Sequence, residues 1–324
     1  GGEPRSVGLL LAGDELPNLD LACAALMGID PMRVPYLAAA HRRGLCAEAC
    51  MFYTESGNPK YTPIHKLEPL RRVWFQEATL AGKLMRLVGL AKPVTDELLA
   101  EWSPLVYDSC SLCGRCSMVC PVGNDIAYMV RKLREGMAAS GNAPEGLVGA
   151  SKRTVAIGSP MGVKWPAVQA QIRHVQKDTG LTVPVDQAGV EYLVLMSSME
   201  IMNYPEYLAA LTRIFHKAGA SWTLASDAFE ATNSGIQIGA SDIAREIVMR
   251  IVNAAERLQV GTVVSPECGH AFTAIRWEGP NLAGRTFGFK VKHILEVLDE
   301  LRRSGRLRTK GNKSIPMTYH DPCQ

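Results

Sequence analysis

The stretch DSCSLCGRCSMVCPVG at 108–123 sets cysteines at 110, 113, 116 and 120, with Pro121 directly after the last. That spacing, C-x2-C-x2-C-x3-C-P, is a run of iron–sulfur ligands. Three closely spaced thiolates wrap one loop around three irons of a cubane. The fourth cysteine, followed by proline, leaves that loop and starts the next element. Gly114 frees the backbone to fold close to the sulfides. Buried structural cysteines have no need of ligand spacing at all four positions. A tetrahedral zinc usually draws two separated pairs and would be crowded here. Cys110, Cys113, Cys116 and Cys120 are therefore read as metal ligands.

Runs of this kind come in pairs. The candidate twin is AHRRGLCAEACMFY at 40–53, where Cys46 and Cys50 hold the last two ligand slots and Ala40 and Arg43 stand in the first two. In two-cluster ferredoxins the fourth cysteine of each run ligates the other cluster. Applied here, Cys50 completes the set Cys110, Cys113 and Cys116. Cys46 and Cys120 are left to a second site lacking two thiolates. Three outcomes stay open: that site is empty, it is completed by unusual ligands with His41 nearest, or Cys120 serves its own run and Cys46 and Cys50 are merely buried. One 4Fe–4S cluster is expected, and the second is in question. A fixed charge at Arg43 would favour the reduced, more negative state of a neighbouring cluster.

The segments joining the two runs read as helical. YTPIHKLEPLRRVWFQEATLAGKLMRLVGL at 61–90 opens with Thr62 and Pro63, an N-cap and first-turn pair, and carries apolar residues at helical spacing. Thr95 with Leu98, Leu99 and Trp102 predicts a short helix ended by Pro104, and Asn124 is placed to cap another. Residues 1–39 read as helix in pieces, broken by Pro17, Pro31 and Pro35, with Cys23 in a core position. This is an α-helical ferredoxin-like module. A compact β-rich ferredoxin of about 55–60 residues would hold its two motifs closer together.

Beyond residue 145 short apolar runs at 191–197, 220–226, 260–265 and 314–320 alternate with helical stretches at 203–218, 241–258 and 289–303. Alternation of this kind predicts an α/β layer with a mostly parallel sheet. The expected organisation is a helical iron–sulfur domain over 1–140, a Gly, Ser and Pro-rich linker over 141–160 and an α/β cysteine-rich domain over 161–324. Two cysteines follow strands in that half: Cys268 in SPECGHAF and Cys323 in YHDPCQ. In open α/β sheets ligands gather at the carboxyl ends of strands, so the two can converge on one site, with His270 and His320 as proton donors. FEATNSGIQIG at 229–239 reads as a polar, solvated loop, with Glu230 and Asn233 the residues that would serve a site.

Composition bounds the rest. The chain has 324 residues, 47% of them hydrophobic, and a net charge of +3, too small to argue for nucleic acid. Nine cysteines is an odd count, which argues against a closed disulfide framework and for ligation in a reducing compartment. No apolar run approaches the roughly 20 residues of a membrane span. The basic run LRRSGRLRTKGNK at 301–313 reads as a solvated helix end and loop, with docking to an acidic partner or to anionic lipid headgroups as the functional alternative. The chain opens on Gly1-Gly2 and stops inside a motif, and so reads as a fragment.

Taken together, CAEACMFYTESGNPKYTP, DSCSLCGRCSMVCPVGNDIA, SPECGHAFTAIRWEGPN and YHDPCQ resemble the HdrD-like proteins of the heterodisulfide reductase family, above all the DsrK type linked to dissimilatory sulfite reductase. The resemblance runs from about residue 40 to the end. It implies two 4Fe–4S clusters in the helical part and, in the α/β part, a CCG-type domain whose cysteines hold a further cluster that cleaves disulfides or trisulfides. Cys268 in ECGH and Cys323 in HDPC are the matching ligands. The implied protein is an iron–sulfur subunit at the cytoplasmic face of the inner membrane. It would pass electrons between a quinone-linked cytochrome b-type subunit and a small sulfur-carrier protein or thiol substrate. Ala40 and Arg43 depart from the family pattern, as does the absence of the downstream Cys-Cys-Gly and C-x2-C elements. A non-catalytic electron-transfer or assembly subunit, and the iron–sulfur subunit of a lactate- or glycolate-oxidising enzyme, are the rival readings.

Overall fold

The computed structural model describes residues 45–91, 93–120, 123–265, 268–310 and 316. The expected strand at 314–320, the helical pieces of 1–39, and Ala40, His41, Arg43, His320 and Cys323 lie outside them. The chain divides into two compact units, Gly1–Arg131 and Lys132–Gln324.

The first unit is helical. Helices α1 (Leu45–Glu48) and α2 (Met51–Ser56) flank Cys50. Helix α3 (Pro63–Ala78) begins where predicted, with Thr62 at its N-cap and Pro63 in the first turn. The Thr62 hydroxyl donates to the Pro59 carbonyl at 2.9 Å instead of capping the helix. α3 turns sharply into α4 (Leu80–Leu87), capped by Thr79 Oγ1 accepting from the Gly82 amide at 3.0 Å. Gly82 is required here, because a Cβ would sit 1.9 Å from the Phe75 carbonyl oxygen. The short helix expected before Pro104 is α5 (Asp96–Ser103), capped by Thr95, and Pro104 opens a single wide turn over Pro104–Asp108 that delivers the chain to Cys110. Helix α6 (Arg115–Met118) follows Gly114.

Helix α7 (Ile126–Ala139) runs across the division. Its first turn is capped by Asp125, not by Asn124: Asp125 Oδ1 accepts from the Tyr128 amide at 3.0 Å and from the Ser117 hydroxyl at 3.0 Å. The Asp side chain one residue later reaches the third amide of the helix, which is the geometry a cap needs.

In the second unit the expected linker is a helix. Residues 145–157 form α8 (Glu145–Ile157), with Ser151 and Thr154 buried and Arg250 donating to the Thr154 carbonyl at 2.8 Å. Its glycines and serine suggested a loop, but buried packing overrides weak propensity. The chain continues through α9 (Trp165–Thr179), β1 (Tyr192–Val194), α10 (Ser198–Asn203), α11 (Pro205–Ala218), β2 (Trp222–Thr223), α12 (Ser234–Ile238) and α13 (Ser241–Arg257). It then runs through β3 (Thr262–Ser265), α14 (Gly269–Arg276), α15 (Gly279–Ala283), β4 (Lys290–His293) and α16 (Ile294–Arg303).

The four strands are all parallel, in the order β2-β1-β3-β4. Successive β1 residues point to opposite faces. Tyr192 and Val194 join one core with Phe215 of α11, Ile172 of α9 and Val297 of α16. Leu193 and Leu195 join another with Val248 and Ile251 of α13 and Ile275 of α14. Helices thus cover both faces of the sheet, which is why β1 is apolar throughout and β3 is buried along its whole length. β4 reads differently because it lies at an edge, lysine-flanked and half-exposed, and it takes the first residues of what reads as one helix over 289–303.

Candidate metal centre

Cys50 stands at the N-cap of α2, with φ −90° and ψ 111°. Cys110 and Cys113 lie on the loop after the Pro104–Asp108 turn, and Cys116 lies in α6. Two left-handed residues shape that loop: Leu112 at φ 59° and Gly114 at φ 75°. Nothing lies within 4 Å of where a Gly114 Cβ would project, so its left-handed φ is the reason for glycine. The loop curls so that the Leu112 amide is 3.4 Å from Cys110 Sγ. Amide donors of this kind point at sulfur in iron–sulfur sites and tune them.

Cys50, Cys110, Cys113 and Cys116 border one recess, closed behind by Phe52, Ile126 and Val130. Cys120 is not among its lining residues. Among the described residues no three His, Cys, Asp or Glu side chains converge on a single-ion site. A cubane needs thiolates spread around a space, and a mononuclear zinc needs them gathered on a point. Four thiols lining one recess are the donor set that a cubane would need.

The thiols feel one another. Burial pushes the Cys116 thiol up to about 11, and the like charges of Cys110 and Cys113 add to it. Burial also raises Cys46, with further contributions from Cys120 and Cys50. Cys46 therefore has Cys120 and Cys50 as electrostatic neighbours, and Cys116 feels Cys46 as well as the other members of its own run. Thiolates crowded in this way are favourable once iron supplies positive charge, so metal binding must displace their protons.

The sequence pattern does not single out Lys66. It is 2% exposed, on the buried stripe of α3 with Pro63, Pro69 and Gln76. Its Nζ donates to Cys50 Sγ at 3.3 Å and to the Ser109 carbonyl, and lies 5.0 Å from the Phe52 ring centroid. The signal available in the sequence is a lysine at i+3 from Pro63 on the inward face of an amphipathic helix.

In the second unit Cys268 is the N-cap of α14, just past β3, and half-buried. Its carbonyl accepts from the Phe272 amide at 3.0 Å. His270 is 9% exposed and its Nε2 lies 2.9 Å from the Asn233 carbonyl, to which that nitrogen donates. That fixes the ring as a tie between α14 and the segment before α12. The reading of 229–239 as solvated does not hold: Glu230 is 5% and Asn233 1% exposed. Glu230 Oε2 accepts from the Ser198 amide at 2.8 Å and from the Ser198 hydroxyl, and Oε1 from the Thr232 amide at 3.1 Å. Burial pushes its carboxyl above the usual range, against the opposing pull of those donors. Ser198 in turn lies 2.6 Å from the Ser159 hydroxyl. The strand order reverses direction between β1 and β3, so Ser197, Ser198 and Cys268 all follow strands at the switch point, where open α/β sheets bind ligands.

Residues 41–125 match the family described as a 4Fe-4S dicluster domain. The chain is similar to the Hdr-like menaquinol oxidoreductase iron-sulfur subunit 2 of Archaeoglobus fulgidus, 28% identical over 87% of this chain and 59% of that one. It is similar to the D-type subunit of the dihydromethanophenazine:CoB–CoM heterodisulfide reductase of Methanosarcina acetivorans, 24% identical over 95% of this chain and 72% of that one. A third relative, the EtfAB:quinone oxidoreductase of Syntrophomonas wolfei, is 24% identical over 87% of this chain and 42% of its own length. The chain thus spans less than two thirds of both Archaeoglobus relatives, 59% and 58% of their lengths. No solved structure matches it. Iron–sulfur clusters are its cofactors. Among the described residues no helix is long and apolar enough to cross a membrane.

Proposed function

Because the chain is an HdrD-like iron–sulfur protein of the heterodisulfide reductase family, we propose that its helical unit is a one-electron relay built on Cys50, Cys110, Cys113 and Cys116. The observation that carries this is the shared recess: three thiols come from one run and the fourth from a segment sixty residues earlier, as crossed ligation requires. When bound, the 4Fe–4S cluster supplies single-electron transfer. The chain's own residues hold it, exclude water with Phe52, Ile126 and Val130, and set its surroundings. Cys46 and Cys120 form a second position that holds no cubane, since the slots at Ala40 and Arg43 offer no thiolates.

The α/β unit is the receiving end. Cys268 and Cys323, each following a strand in the sequence pattern, hold a further cluster at which a disulfide or trisulfide is cleaved, with His320 donating a proton. The donor is a quinol-linked membrane cytochrome, in keeping with the menaquinol and heterodisulfide oxidoreductases among the relatives. On this reading the protein is peripheral to the cytoplasmic face of the membrane and works in dissimilatory sulfur metabolism. A second arrangement is favoured by the likeness to the EtfAB:quinone oxidoreductase: the same relay joined to that electron source in place of a sulfur substrate.

The test is Cys50→Ala in the full-length protein, purified anaerobically, with iron quantification and electron paramagnetic resonance. The wild-type cubane signal is expected to vanish. An unchanged signal would mean that Cys120 completes its own run.

A further inference from the structure

A buried ammonium needs an anion. Taking a charge out of water is unfavourable by several kcal/mol unless it is paired and hydrogen-bonded. Lys66 is 2% exposed, yet among the described residues no carboxylate pairs with it. Its partners are a thiol sulfur, a carbonyl oxygen and an aromatic face. A carbonyl and a ring each satisfy part of an ammonium's field, and neither carries a negative charge. The sulfur belongs to Cys50, one of the four thiols around the recess, and Lys66 itself lines that recess.

We infer that Lys66 is the counter-ion of the cluster held by Cys50, Cys110, Cys113 and Cys116, and that it raises the potential at which that cluster accepts an electron. The inference rests on the ligand set proposed above. A cubane with four thiolate ligands is anionic, and reduction by one electron adds one further negative charge with no bond made or broken. A fixed cation 3.3 Å from a ligand sulfur stabilises the reduced state more than the oxidised one. Lys66 is itself buried, and Phe52, Ile126 and Val130 line the same recess, so screening of its charge is weaker than at an open surface. The Ser109 carbonyl and the Phe52 ring hold the ammonium in place, so Lys66 is a positioning residue for charge and takes no part in the chemistry.

The experiment is a redox titration, followed by electron paramagnetic resonance, of the full-length protein and of Lys66→Gln, Lys66→Met and Lys66→Arg. At the wild-type midpoint the neutral variants are expected to hold at least tenfold less of the reduced cluster relative to oxidised, a lowering of about 59 mV or more for a one-electron couple. Lys66→Arg, which keeps the charge, is expected to stay inside that window. Neutral variants with the wild-type midpoint overturn the inference. So does an Arg variant that falls as far as Gln, because then packing is at work. If both neutral variants lose iron while Arg keeps it, the counter-ion role stands. If all three lose iron, Lys66 is a structural tie to Ser109 and the inference fails. Cys50→Ala separates the two proposals: a surviving cubane signal there removes the ligand set, whatever Lys66 does to the midpoint.

Discussion

At the scale of single residues, Glu230 is a carboxyl held away from water, 5% exposed. Its carboxyl is sealed beneath Ser198 and Thr232, and burial is the largest influence on it, raising its pKa. The linkage has a definite sign. An unfolded glutamate releases its proton near the ordinary value of about 4.3, before the folded one does. The stabilising contribution of this group is therefore full below about 4.3 and is lost as pH rises through the folded value. Glu230→Gln carries no titrating group. Its urea midpoint is expected to fall less than that of the wild type between pH 4.5 and pH 8. Parallel curves would show that the carboxyl is ionised in the native state throughout. Lys66 poses the complementary case, a buried cation whose anion is supplied by a cofactor.

At the scale of elements, the second unit is closed at one sheet end by a single arginine. Arg306, just past α16, donates to Glu191 at 2.6 and 3.0 Å and to the Ala218 and Gly219 carbonyls at the end of α11. It joins the residue before β1 to two helix ends and holds the Glu191 carboxyl down at about 2. Both side chains are about a third or more exposed, so the ion pair itself contributes roughly 1 kcal/mol or less. A lowered carboxylate stabilises above its unfolded value of about 4.3, and that stability is lost as pH falls toward 2. Arg306→Ala is expected to lower the unfolding midpoint at pH 7, with the deficit shrinking below pH 4. A deficit constant from pH 7 to pH 3 would assign the whole effect to the lost carbonyl bonds.

The same scale shows what was legible beforehand. β1, β2 and β3 stood out because they are buried on both faces and lie within short runs rich in apolar and β-branched residues. β4 did not, because KVKH has one apolar residue between two lysines at a half-exposed edge. α8 was hidden by its flanking Gly, Ser and Pro, though its Ser151 and Thr154 are buried. The cysteine ligands were readable because a cluster dictates their spacing. Lys66 and Ser198 were not, since each acts through a contact with a residue distant in the chain, and no local pattern records such a contact.

At the scale of the whole molecule, iron stoichiometry decides how many stations the relay has. Six of the nine cysteines lie in the segment matched by the dicluster family, two fewer than two four-thiolate cubanes need. Four of the six border one recess. The other two, Cys46 and Cys120, act on each other electrostatically, and Ala40 and Arg43 fill the remaining slots of their set. Two thiolates are a poor cradle for a cubane, because half the ligand charge is missing. The double variant Cys46→Ser, Cys120→Ser is therefore expected to keep the wild-type iron content and the cubane signal of the 110–116 run, whatever iron the α/β unit contributes. A loss of about four irons per chain on that substitution would mean that a second cubane does form there. Its remaining ligands would then have to come from outside the six cysteines, with His41 the first to replace.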